Sequence, residues 1–372
     1  MKDLEAPTAE GNAGPREKAM MHGPPAGGRD GGSRVPEVNG RARSDGPQEG
    51  FRLGLRAGDW VEVRSREEIL GLLDQNGKLD GLPFMPEMLQ YCGRRFRVSK
   101  RAEKACDTVH KTGARRMMDA AHLEDLRCDG AFHAGCQAAC RLFWKEAWLR
   151  RAPGPTAVEE GRPVSAVEST DEPGELLLRA SRGPESTTAP GAEVYRCQAT
   201  EMFTATQPMR PDDIRQYARD LRCGNVTIWH VMGAAVIAHL NMLLKLLRRP
   251  VYLSVCGPIR GKTPGGALDL KPGEMVEVKS REEILATLNE HGRNRGLSFD
   301  AEMIRYCGRR FRVLRRVEKI IDERTGMMRT MPNDCLILSG VTCVGNVSPR
   351  RLFCQRAIYP YWREIWLRRV ED

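Results

Sequence analysis

The chain has 372 residues, 12 cysteines and a formal net charge of +10, a length that fits two or three domains. The charge is dispersed through mixed-sign runs such as SREE and WREIWLRR, which excludes a continuous basic stripe for nucleic acid. The start, MKDLEAPTAEGNAGP, puts acidic residues and glycines where a secretory signal needs an apolar run, so a cytoplasmic location is expected.

Residues 1–50 are rich in Gly, Pro, Arg and Asp and nearly lack aromatics; they are expected to form a disordered leader. A first module spans 51–150. It opens with GDWVEVRSREEIL, where alternation predicts a strand and Ser65 with Glu68 forms a capping box for a helix whose apolar face is Ile69, Leu72 and Leu73. Asn76-Gly77 breaks the pattern, YCGRRFRV predicts a further strand, and FWKEAWLR closes the module. Residues 151–190 read as a flexible connector.

A central helical unit covers 191–260. One helix opens at Pro211-Asp-Asp, and a second runs from about Thr227 to Arg249. The apolar stretch Ile228–Leu247 carries His230, His239, Asn241 and Lys245, so a helix buried against both modules is expected here and no membrane span. Gly257–Gly266 contains Gly-Lys-Thr but lacks the upstream glycine of a phosphate loop and reads as a linker.

The second module, 261–372, repeats the first. Gly273–Val313 (GEMVEVKSREEIL…YCGRRFRV) matches Gly58–Val98 about 215 positions away, and YWREIWLRR matches FWKEAWLR. Two homologous modules follow from a match of this length. Strands are expected at 273–278, from Phe311 onward and at 335–338, with a turn at Arg324-Thr-Gly326 and a closing helix over Tyr359–Val370 that stacks Trp362, Ile365 and Trp366. These short strands and tight turns predict a mainly β chain with helical additions: two tandem SH3-like small barrels joined by the helical unit.

Chemistry concentrates in the run Cys128-Asp-Gly-Ala-Phe-His133-Ala-Gly-Cys136-Gln-Ala-Ala-Cys140. Gly130 and Gly135 let the loop turn tightly, and thiolates suit zinc or an iron–sulfur cluster. Cys197 is the favoured fourth ligand, with Cys92, Cys106, His133, His122 and His110 as other candidates. In the second module Cys343 aligns with Cys128 and Cys354 with Cys136, while Ile358 replaces Cys140. A Cys136 nucleophile assisted by His133 or His122 is the metal-free alternative.

The segments YCGRRFRV, RCDGAFHAGCQAACRLFWKEAWL and YWREIWL resemble an uncharacterised bacterial cysteine-containing family found in genomic regions for secondary metabolites or surface polysaccharides. That resemblance implies an accessory or tailoring role and assigns no residue. The leading expectation is a metal-containing, iron–sulfur redox or tailoring component of a biosynthetic pathway, with a small-molecule substrate or protein partner. The alternative is a non-enzymatic tandem-barrel binding protein with structural zinc that contacts protein or RNA.

Overall fold

The computed structural model describes residues 51–155, 172–184, 190–210, 212–248, 254–347 and 351–370. The leader expectation for 1–50 lies outside them, as does most of the interval read as a connector.

In the first module β1 (Trp60–Val63) leads into α1 (Arg66–Leu70), whose start is fixed by the Ser65–Glu68 capping box. The later strands are β2 (Arg95–Arg101), β3 (Ala105–Cys106), β4 (Ala114–Met117), β5 (Ala120–Leu123), β6 (Trp144–Lys145) and β7 (Leu149–Arg151). All but β3 and β4 form a sheet of order β6-β5-β2-β1-β7, in which Val61 faces Phe96 on one side and Arg151 on the other. The middle of the chain supplies α2 (Glu172–Ala180), β8 (Thr206–Pro208), α3 (Arg215–Arg222) and α4 (Ile228–Leu246). Strand β8 extends the β3–β4 hairpin, and Leu177 of α2 is buried in the first core.

The second module repeats the plan with β9 (Met275–Val278), α5 (Arg281–Leu285), β10 (Arg310–Arg316), the hairpin β11 (Lys319–Ile321) and β12 (Met328–Thr330), β13 (Leu336–Leu338) and β14 (Leu367–Arg369). Its sheet has the order β13-β10-β9-β14. The cores correspond as well. Phe84 meets Trp148 edge-on at 5.1 Å, as Phe299 meets Trp366 at 5.4 Å.

The architecture is mixed α/β with open sheets, which corrects the expectation of tandem SH3-like barrels. Closing the first sheet would require β6 to pair with β7. Instead one turn of 3-10 helix, Glu146–Trp148, separates them, and they remain opposite edges. A buried carboxylate takes the place of a further strand: Glu146 accepts hydrogen bonds from the amides of Leu53, Gly54 and Leu55. Glu364 does the same for Leu268, Asp269 and Leu270.

The closing segment is also corrected. It forms only a 3-10 turn, Glu364–Trp366, and then β14, because pairing with β9 satisfies the Leu367–Arg369 backbone. α4 differs from expectation too. None of its residues is buried, and Trp229 and Leu246 are 75% and 80% exposed. It is long and apolar enough to cross a membrane by length and composition.

The halves clasp each other reciprocally. Gln137, in the first module's cysteine loop, donates its amide to Lys319 O at 3.0 Å, and its side-chain oxygen accepts from the Glu318 and Lys319 amides. In the corresponding contact of the other half, Gln355 donates to Lys104 O at 3.2 Å and accepts from the Lys104 amide at 2.6 Å. Each loop thus grips the other half's hairpin at the same register.

Candidate metal centre

The apolar run Leu82-Pro-Phe-Met-Pro-Glu-Met-Leu89 carries one charged group into the first core. Glu87, in the first turn of a 3-10 helix (Pro86–Tyr91), is only 3% exposed. The cysteine loop meets it from the other side. The Cys128 amide bonds Cys140 O at 2.8 Å and closes the neck of the loop. Inside, the amides of His133 and Gly135 both bond Gly130 O, and the Cys136 amide bonds His133 O. Gly130 is indispensable there: its φ is +78°, and a Cβ would lie 2.0 Å from Cys136 O.

This folding gathers one sulfur, one imidazole nitrogen and one carboxylate oxygen. Donor atoms of Glu87, Cys128 and His133 all lie within 4.8 Å of one another, a set capable of holding a single metal ion. Cys128 Sγ donates to Glu87 Oε1 at 3.1 Å, and His133 Nδ1 is 3.7 Å from the same oxygen. His133 Nε2 lies 3.2 Å from Arg196 O. A carbonyl only accepts, so the proton of a neutral ring belongs on Nε2 and the Nδ1 lone pair faces the carboxylate. Glu87 Oε2 and His133 Nδ1 are buried without a hydrogen-bond partner. Orphaned buried acceptors are costly, and a cation satisfies both.

Burial, aided by the Glu87 charge, pushes the Cys128 thiol well above its ordinary range. Burial also raises the Glu87 carboxyl, although His133 opposes the rise. Metal binding here therefore displaces protons.

Of the sequence candidates, Cys128 and His133 belong to this group. Cys136, Cys140 and Cys197 line an adjoining cavity of about 430 Å³ together with Cys128 and His133. Burial pushes Cys140 to about 12 and Cys197 to about 11. Cys92 instead packs against the first core, where burial raises it to about 11. His122 is fully buried with Nδ1 on Leu142 O at 2.8 Å, His110 stacks edge-on with Phe203, and Cys106 reaches the second half.

The iron–sulfur expectation is overturned by the composition of the compact donor group. It has one sulfur, one nitrogen and one carboxylate, whereas a four-thiolate cluster site needs four sulfurs. Glu87 was missed by sequence reasoning. Its signal was a lone carboxylate inside an apolar run, recurring as Glu302 in the second copy. That copy lacks the imidazole: the Cys354 amide bonds Arg351 O as the Cys136 amide bonds His133 O, so an arginine without a lone pair stands in the histidine's place.

Comparison with protein-family models, curated proteins and solved structures finds no match to the chain. Fold and site together define a mixed α/β protein with a buried Cys/His/Glu site capable of binding one metal ion.

Proposed function

We propose that this is a zinc-binding protein in which one ion, held by Glu87, Cys128 and His133, pins the cysteine loop to the first module beside a ligand cavity. The observation that carries the reading is the gathering of a sulfur, a nitrogen and a carboxylate oxygen within 4.8 Å of one another, where Glu87 and His133 each keep a buried atom without a hydrogen-bond partner. Zinc accepts sulfur, nitrogen and oxygen together and imposes no redox chemistry. The loop has little apolar core of its own, so a metal staple supplies folding energy that packing does not.

The adjoining cavity favours a small molecule over RNA as the bound partner. Its lining is mostly apolar, with Ile320, Ile321, Ile358, Ala138 and Ala139 among the residues that line it, and it is of the size that small ligands occupy. A biosynthetic setting, which the sequence resemblance implies, suits such a binder.

Metal analysis of protein reconstituted with zinc tests the proposal. One ion is expected at this site, with affinity reduced more than about 100-fold in each of Glu87→Gln, Cys128→Ser and His133→Gln. Unchanged affinity in all three would refute it.

A further inference from the structure

The reciprocal clasp is symmetrical in backbone and unsymmetrical in sulfur. In the first half's loop, Cys136 Sγ accepts the amide of Ile321 at 3.4 Å. In the second half's loop, Cys354 Sγ accepts the amide of the equivalent hairpin residue at 3.2 Å, and that residue is Cys106. An isoleucine therefore fills the same place in the first clasp, so packing alone does not require a sulfur there. Both Cys106 and Cys354 are free thiols in buried positions, and Cys354 Sγ lies directly against the Cys106 backbone.

The geometry points to Cys106 and Cys354 as a modification site, a dithiol pair that a small peroxide converts to a disulfide linking the two halves. The surroundings suit this chemistry. The Cys354 thiol, as hydrogen-bond donor, lowers the Cys106 pKa against the opposing effect of burial, and Arg356 and Arg351 lower it further. The same contact and burial raise Cys354. Cys106 is thus the sulfur disposed to act as nucleophile, and Cys354 the one disposed to keep its proton.

The Cys106 thiolate attacks one peroxide oxygen, the O–O bond breaks, the leaving hydroxide takes up the proton that Cys106 had released, and a sulfenic acid forms. The Cys354 sulfur then attacks the Cys106 sulfur, the S–O bond breaks, and the departing hydroxide takes the Cys354 proton as water. Two thiols lose two electrons to one peroxide, which becomes two waters. Burial excludes bulky disulfide oxidants and leaves hydrogen peroxide as the fitting one.

The test treats the full-length, zinc-loaded protein with hydrogen peroxide, denatures it, alkylates the remaining thiols and maps the peptides. The expected result is a dithiothreitol-reversible peptide pair joining Cys106 to Cys354, formed before any other cysteine is lost, with melting raised by several degrees. In Cys106→Ser the crosslink and the melting shift disappear while zinc binding at Glu87, Cys128 and His133 persists. Recovery of Cys106 and Cys354 as alkylated thiols when other cysteines have oxidised would overturn the assignment. Pairing of either with Cys343, or zinc held by the pair that blocks the crosslink, would overturn it as well. The wild-type mapping decides the matter even if the serine variant misfolds.

Discussion

Single side chains set the pH response of this protein. His122 is fully buried, with Nδ1 donating to Leu142 O and Nε2 without a partner. Burial, followed by repulsion from Arg141, depresses its pKa to about 3. A histidine depressed in the folded state contributes stability at pH above its unfolded value, about 6.5, and loses it as pH falls toward the folded value. Stability is therefore expected to decline by a few kcal/mol between about pH 6.5 and 3, since each tenfold change in proton affinity corresponds to roughly 1.4 kcal/mol. Denaturant titrations across that window should show a shallower slope for His122→Gln than for wild type; parallel slopes would remove His122 from the acid response. The same scale explains what the sequence hid. Cysteine spacing exposed Cys128 and His133, yet a lone carboxylate in an apolar run does not by itself show that Glu87, rather than Cys197 or Cys92, will face them, because that choice belongs to packing.

At the level of elements, the capping boxes at Ser65 and at its repeat Ser280, and the strands before them, were legible, since each rests on a local hydrogen bond or a two-residue alternation. The closing segment was not. Trp362 and Trp366 have helical spacing, but both indoles are buried from a mostly extended chain. α4 failed for the complementary reason: an apolar composition predicts burial only if a partner surface exists, and none covers it among the described residues. The two elements therefore differ sharply in energetic weight. Trp366→Ala, which leaves a hole beside Phe299, is expected to cost about 3–5 kcal/mol. Leu243→Ala on α4, where Leu243 is 52% exposed, should stay within about 0.5 kcal/mol. Melting curves of the two variants check both figures, and a large loss from Leu243→Ala would mean that the helix packs in solution.

Across the whole molecule, duplication was the clearest sequence signal, and it correctly paired the two cores. It did not show that the copies exchange contacts, because the clasp joins residues nearly two hundred positions apart, such as Gln137 with Lys319. Nor could repeated strands reveal whether the sheets close. Gln355 ties more groups than its counterpart: it also donates to Asp220 Oδ1, beside the buried Lys104. Replacing it with alanine leaves the Lys104 amide unsatisfied and is expected to destabilise by about 1–3 kcal/mol. Gln137→Ala should cost less, since Glu318 at its clasp is exposed. Equal and negligible losses in chemical denaturation would show that the halves are held by other contacts.

In the proposed site one metal ion sits among three unlike donors, Glu87, Cys128 and His133. Crystals of the zinc-loaded protein, measured on both sides of the zinc absorption edge, test it most directly. An anomalous peak is expected about 2.3 Å from Cys128 Sγ and about 2.0–2.2 Å from His133 Nδ1 and a Glu87 oxygen. An anomalous map without density between those atoms, or with the ion bound only by Cys136, Cys140 and Cys197, would contradict it.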